Sequence, residues 1–152
     1  MSPGLPSAMA SRIEMWPVSR LIPYERNSRT HSKEQIEQIA VSMLQFGFTQ
    51  PILVNEADGG ILAGHGRLKA ALSLGMIEVP VVPLDHLSEA QRRAYIIADN
   101  KLAENAGWDD VLLRRELEAL KADTFDLDVL GFSAGELETL LDDSGEDRKS
   151  VV

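Results

Sequence analysis

Three times in this 152-residue chain a serine stands three residues before a glutamine or glutamate, at the head of a stretch with helical apolar spacing. The pairs are Ser32/Gln35, Ser88/Gln91 and Ser133/Glu136. In such a capping box each side chain answers a backbone N–H that the first helical turn leaves free, so the pair fixes where a helix begins. Between the first two boxes lie apolar runs too short for helices: PILVN (51–55), ILA (61–63) and EVPVVPL (78–84). Runs of that length and β-branched content read as buried strands. Capped helices alternating with short strands restrict the chain to a mixed α/β (α+β) class, with a small mixed sheet followed by C-terminal helices.

The elements follow in order. Ile13 to Ile22 reads as a short strand entering a turn at Pro23, and 24–32 is a polar loop. A helix over about 33–46 puts Ile36, Ile39, Ala40, Met43 and Leu44 on one face and stops at Gly47. Asp58-Gly59-Gly60 should join two strands as a hairpin. Leu68 to Leu74 reads as helix, ending at Gly75. Pro80 and Pro83 predict an edge position or a bulge for the last strand. The helix opened by Ser88 runs through about Glu104, with Ala94, Ile97, Ala98 and Leu102 as its apolar face. Val111, Leu112, Leu117 and Leu120 form the stripe of a further helix reaching about Lys121. Leu137, Leu140 and Leu141 do the same for a last short one. Trp16 and Trp108 are expected to pack in the core or at its edge. The expected organisation is a flexible lead-in (1–12), a core (13–107), an acidic helical extension (108–142) and a polar tail (143–152).

The formal net charge is −9, and it is unevenly placed. Residues 1–108 carry 10 basic and 11 acidic side chains, whereas 109–147 carry 3 and 13. A non-specific DNA-coating role is therefore disfavoured, because phosphate contacts need Lys and Arg. The first two thirds are close to neutral, with a local basic cluster at Arg20, Arg26, Arg29, His31 and Lys33. There is no cysteine, which excludes disulfides, thiolate metal sites and a cysteine nucleophile. No apolar run approaches the ~18 residues of a membrane span, and the first residues lack signal-peptide character, so a cytoplasmic protein is expected.

AGHGRLKAA (63–71) is the sharpest local feature. A strand ends, Gly64 and Gly66 bracket His65, and Arg67 opens a helix. Glycines permit positive φ or close approach of a ligand. Free N–H groups at a helix start attract anions, and Arg67 adds a fork of donors suited to phosphate. A structural strand-to-helix turn would use the same residues. In IIADNKLAENAGW (96–108), Asp99 and Asn100 interrupt a helical pattern that neither favours. Together they could give oxygens to Mg²⁺, with phosphate supplying others, or they could lie on a solvated helix face. In the loop RNSRTH (26–31), Arg26 and Arg29 are candidate anion contacts. Glu25 is a candidate base or metal ligand, and His86 reads as structural.

Together these segments resemble the ParB/sulfiredoxin superfamily, and within it the ParB-like nuclease domain of phages and mobile elements, over about 13–107. Leu21-Ile22-Pro23 with Asn27-Ser28-Arg29 is similar to the family's L-x-P…N-P-R opening, and GFTQPILV (47–54) to G-x-x-Q-P-I-x-V. AGHGRLKAA is similar to G-E-R-R-x-R-A of partition proteins and G-C-H-R of sulfiredoxins. The segment from ADNKLAENAGWD to GFSAGELETLL is similar to ParB-like domains that precede DNA methyltransferases. His65 occupies the position of the sulfiredoxin cysteine, so sulfiredoxin chemistry is excluded. Asp99-Asn100 stands where partition proteins have Glu-Asn, with Ala103 where they have Arg. Gly66 also departs from the G-H-H-R-like turn of the superfamily's serine kinases.

The resemblance implies binding of a nucleoside triphosphate, CTP or ATP, with Mg²⁺, and a part in DNA metabolism: DNA binding or partition, a nuclease, or an accessory to modification. Gly64, His65, Gly66, Arg67 and Arg29 would bind phosphate, and Asp99 and Asn100 the metal. His65 would be the acid or base of any metal-assisted hydrolysis of a phosphoanhydride or phosphodiester. DNA contact would be indirect or weak. A protein partner or a second copy would dock through the acidic C-terminal helices, and no membrane is involved. The alternatives are a non-catalytic interaction module attached to a DNA methyltransferase, and a small-molecule kinase of the serine type.

Overall fold

A computed structural model describes residues 4–27 and 29–142, so the expected polar tail 143–152 lies outside the described residues. Two compact units divide between Ala103 and Glu104. No helix among the described residues is long and apolar enough to cross a membrane.

The first unit is built on a four-stranded sheet. Strand β1 spans Glu14–Pro17, β2 Ile52–Asn55, β3 Ile61–Ala63 and β4 Glu78–Leu84. Their order is β1-β4-β2-β3, with β2 parallel to β4 and the other pairs antiparallel. The expected hairpin is β2–β3, turning through Asp58 and Gly59 with a register shift at Leu53/Val54. The strand read over 13–22 is shorter than expected, and Val18–Arg20 coils into a 3-10 turn instead.

The edge position expected for EVPVVPL is wrong, because β4 is an inner strand. The register explains how two prolines survive there. The Leu84 carbonyl accepts from Glu56 N–H, so even-numbered residues of β4 turn their backbone polar groups toward β2 and odd-numbered ones toward β1. Pro80 thus directs its missing donor toward β2, where pairing starts only at Val81. Pro83 directs its own toward β1, where pairing has already ended at Val81. Neither proline removes a ladder bond, which is the condition for proline inside a sheet.

Helix α1 (Lys33–Phe46) opens on the Ser32/Gln35 box, with both reciprocal bonds at 3.1 Å, and ends at Gly47. It packs against α2 (His65–Ser73), whose Leu68 and Ala71 join the core with Ile52, Val54, Ile61, Val79 and Val81. Leu44 was expected on the buried face of α1 but is 73% exposed, so the buried stripe is narrower than the pattern implied. Trp16 is fully buried, donates from Nε1 to Glu14 at 2.9 Å, and carries the Arg20 guanidinium 3.5 Å over its ring.

Helix α3 (Glu89–Glu104) opens on the Ser88/Gln91 box at 2.9 and 3.2 Å. Its orientation corrects the sequence reading. Ala94, Ile97, Ala98 and Leu102 are exposed, and Ile96 is the buried residue. The face that turns inward also carries Arg92, which binds Asp58 at 2.9 Å. The ion pair and Ile96 select that face over the more apolar one.

In the second unit, Asp109 caps α4 (Asp110–Ala122) through bonds of 3.1 Å from the N–H groups of Val111 and Leu112. A 3-10 turn follows at Leu127–Leu130. Helix α5 (Ala134–Leu141) then begins on the Ser133/Glu136 box. Leu117, Val129 and Leu137 are the buried residues of this unit, whereas Val111 and Leu112 are exposed. Trp108 is 69% exposed, not packed in the core, and leans on Phe132 with ring centroids 5.7 Å apart.

The two tryptophans should therefore respond differently. Trp16→Ala empties the centre of the first unit and should cost about 3–5 kcal/mol. Trp108→Ala should cost about 1 kcal/mol or less. Urea unfolding followed by circular dichroism checks both, and equal losses would contradict the core assignment.

Candidate functional site

The strand-to-helix corner of the first unit holds the predicted motif. Gly64 has φ +107°, a conformation that side-chain-bearing residues avoid, and it converts β3 into α2 within a single residue. The helix consequently starts at His65, three residues before the predicted start. No side chain caps this end. The first cap bond is Leu68 N–H to the Gly64 carbonyl at 3.0 Å, so the N–H groups just before it are available to an anion.

Arg67 folds back over Gly64. Its Nη1 donates to Gln50 Oε1 and its Nη2 to the Pro51 carbonyl, both at 3.2 Å. Its Nε is buried and has no acceptor. A Cβ on Gly64 would lie 3.1 Å from Nη2, so the glycine also makes room for the guanidinium. Burial pulls the Arg67 pKa down, and the charge of Asp99 acts in the opposite direction. The site thus contains an oriented cation whose five N–H donors are only partly used, with Nε lacking any acceptor, which suits an oxyanion.

His65 is half-buried, and its Nε2 accepts the Tyr24 N–H at 3.1 Å. The neutral ring therefore carries its proton on Nδ1. Burial, then His31 and Lys69, keep its pKa below the ordinary value. The imidazole ties the 24–31 loop to the head of α2. His31 returns along that loop to lie over Gly66, where a Cβ would meet its Cε1 at 2.9 Å. Arg29 is exposed in the same loop and acts electrostatically on His31.

Asp99 and Asn100 lie on α3. Asp99 is exposed and its charge reaches both Arg67 and Tyr95. The Asn100 amide donates back to the Ile96 carbonyl at 2.9 Å, which spares its side-chain oxygen. No group of three or more His, Cys, Asp or Glu able to hold a metal occurs among the described residues.

Sequence reasoning missed three contributors: Gln50, the Pro51 carbonyl and the Tyr24 N–H. The last two are backbone groups, whose placement no residue type announces. The role of His31 had one signal, a glycine in the first turn of a helix at Gly66. A separate cleft of about 510 Å³ runs along Gly60–Leu62, between the 22–26 loop and the start of α3. It contains Asn55, Asp58 and Arg92, together with the candidates Glu25 and Arg26, and none of Gly64 to Arg67, Arg29, Asp99 or Asn100. Burial opposes the ionisation of Asp58, but bonds from Asn55, Gly60 and Arg92 outweigh it and hold its pKa below the ordinary value.

Gly64→Ala tests the corner. Forcing a side chain into positive φ should cost about 1–2 kcal/mol, read from urea unfolding, and should displace Arg67. Unchanged stability would show that the corner tolerates another geometry.

Comparison with known proteins places this architecture. Residues 6–100 match the ParB N-terminal domain, and residues 111–151 match the ParB-methyltransferase HTH domain. The ParB-like nuclease domain-containing protein YnaK of Escherichia coli is 48% identical over 77 residues, which are 51% of this chain and 87% of YnaK. The probable chromosome 2-partitioning protein ParB of Deinococcus radiodurans is 35% identical over 117 residues, 74% of this chain and 40% of that protein. The fold is similar to that of C-terminally truncated chromosome-partitioning protein ParB from Caulobacter crescentus, complexed with CTP-gamma-S. The TM-score is 0.72 at 20% identity, covering 93% of this chain and 86% of that one. The mixed α/β fold and the resemblance inferred from AGHGRLKAA and its neighbours are both found, and this chain belongs to the ParB N-terminal domain family.

Proposed function

We propose that the corner of Gly64, His65, Gly66 and Arg67 binds the phosphates of a nucleoside triphosphate, with Arg29 as a second anion contact. The buried Arg67 Nε without an acceptor, beside the uncapped start of α2, carries this reading. A buried donor left unpaired costs about 1–3 kcal/mol, and a phosphate oxygen would remove that cost. CTP is the favoured nucleotide, since the Caulobacter ParB of similar fold was crystallised with CTP-gamma-S. ATP is the competitor.

Asp99 and Asn100 fit a Mg²⁺ that accompanies the triphosphate. Both offer a side-chain oxygen, and the described residues hold no group of three or more His, Cys, Asp or Glu that would make a metal site of its own. Phosphate oxygens and water would complete the shell, as is usual for this ion. Bound there, Mg²⁺ would neutralise phosphate charge and polarise the phosphoryl group. His65 orients the 24–31 loop through Nε2, and its Nδ1–H is the proton it can offer to a phosphoanhydride or phosphodiester in any hydrolysis.

The role of the whole protein is in DNA metabolism, in a phage or mobile element and beside a DNA methyltransferase. The match of 111–151 to the ParB-methyltransferase HTH domain supports this. The charge of 109–147 favours a basic protein partner or a second copy of this chain over a DNA backbone. Fluorescence anisotropy at physiological salt should show negligible affinity of the chain for random duplex DNA. Salt-sensitive binding at micromolar protein would overturn that assignment.

Thermal unfolding with CTP, ATP and GTP, each with and without Mg²⁺, tests the nucleotide reading. At a hundred times Kd a ligand adds about 2.7 kcal/mol of stability. The expected result is a Mg²⁺-dependent shift that Arg67→Ala abolishes and whose metal dependence Asp99→Ala removes. No shift with any nucleotide at millimolar concentration would leave the non-catalytic interaction module as the better account.

A further inference from the structure

We propose that His31 is a phosphate-binding residue of this site, seated by the absence of a side chain at position 66 and engaging the ligand in its protonated form, so that affinity falls as pH rises. The proposal rests on the nucleotide reading above.

The geometry begins with Gly66. It is buried in the first turn of α2, in helical backbone, where glycine is destabilising by roughly 1 kcal/mol relative to alanine. Backbone freedom does not account for it, because its φ is not positive. Space does. A Cβ there would meet His31 Cε1 at 2.9 Å, Ile39 Cδ1 at 3.0 Å and His31 Nε2 at 3.1 Å. The missing side chain lets the imidazole lie on the first turn of α2, beside the N–H groups that the uncapped helix end leaves free. In the two motifs that AGHGRLKAA resembles, this position is an arginine (G-E-R-R-x-R-A) or a histidine (G-C-H-R). Here the group over that position comes from the preceding loop.

The surroundings suit an anion. The charged groups acting on His31 are Arg29 from its own loop and Lys69 from α2, and His65 is a second imidazole nearby. From α1 the neighbour at Gly66 is the uncharged Ile39. No carboxylate is among the groups that shift His31. In the free protein, burial first, then Lys69 and Arg29, hold its pKa below the ordinary 6.5, so it is mostly neutral near pH 7. A phosphate placed among the three groups would reverse the sign of the local field and favour the imidazolium. Binding then takes up a proton. The extra affinity is fully present below the free-state pKa and is lost as pH rises through the higher value in the complex.

Titration calorimetry of the full chain with Mg²⁺–CTP and with inorganic tripolyphosphate, from pH 5.5 to 8.5, tests this. Measurement in two buffers of different ionisation enthalpy reports the proton uptake. Terminal phosphate gains charge near pH 6, which strengthens binding as pH rises, so the diagnostic is the difference between wild type and His31→Ala. His31→Ala should weaken binding on the order of tenfold to a hundredfold at pH 6, much less at pH 8.5, and abolish the uptake. Gly66→Ala keeps a good helix former at that position and should reproduce the effect by displacing the ring. NMR should show the His31 pKa rising on addition of ligand.

Identical pH profiles for wild type and His31→Ala, with binding intact, would overturn this proposal alone. So would wild-type behaviour of Gly66→Ala, which would remove the seating argument. Absence of binding by the wild type to either probe would overturn the nucleotide reading and this proposal with it.

Discussion

At Gly64 the chain leaves an edge strand and enters a helix within one residue, and the rest of the candidate site depends on that corner. The positive φ lets β3 pass directly into α2, whose first turn no side chain caps. The absent Cβ leaves room for the Arg67 guanidinium to fold back to Gln50 and the Pro51 carbonyl. A side chain at residue 64 would strain the turn and crowd the arginine together, so a single substitution is felt by both.

Around the corner, groups of different origin converge. His65 holds the 24–31 loop through the Tyr24 N–H, and the loop brings Arg29 and His31 to the head of α2. From α3, Asp99 supplies a negative charge that acts on Arg67. These groups come from a loop, a strand end and two helices, which leaves the sheet to act as the rigid support. Function concentrating on loops that a scaffold positions is the usual arrangement.

Much of this was legible in the chain because it is local. The three capping boxes lie where the serine–glutamine and serine–glutamate spacings put them, since a cap involves residues three apart. The β2–β3 hairpin follows from its turn residues. The strand-glycine-helix corner was legible from Gly64 to Arg67 for the same reason. Failures came where two local answers competed. EVPVVPL reads as an edge strand until the staggered ends of β1 and β2 are known, because a proline is tolerated wherever a neighbour stops short. Helix α3 carries apolar residues on two sides. Its stronger stripe, Ile97 and Leu102, faces solvent because Arg92 meets Asp58 from the other side.

The sequence by itself determined the order of helices and strands, where the three boxed helices begin, where the acidic charge resides and which corner carries the donors. Those are properties of residues within about one helical turn of each other, and of composition. Only the tertiary structure decided strand order, the buried face of α3 and the meeting of His31 with Gly66, which lie 35 positions apart in the chain. No pairwise spacing encodes such a contact, because it is set by how α1 and the loop before it pack on α2. The glycine at 66 is intelligible as a residue choice only once the ring that fills its space is seen.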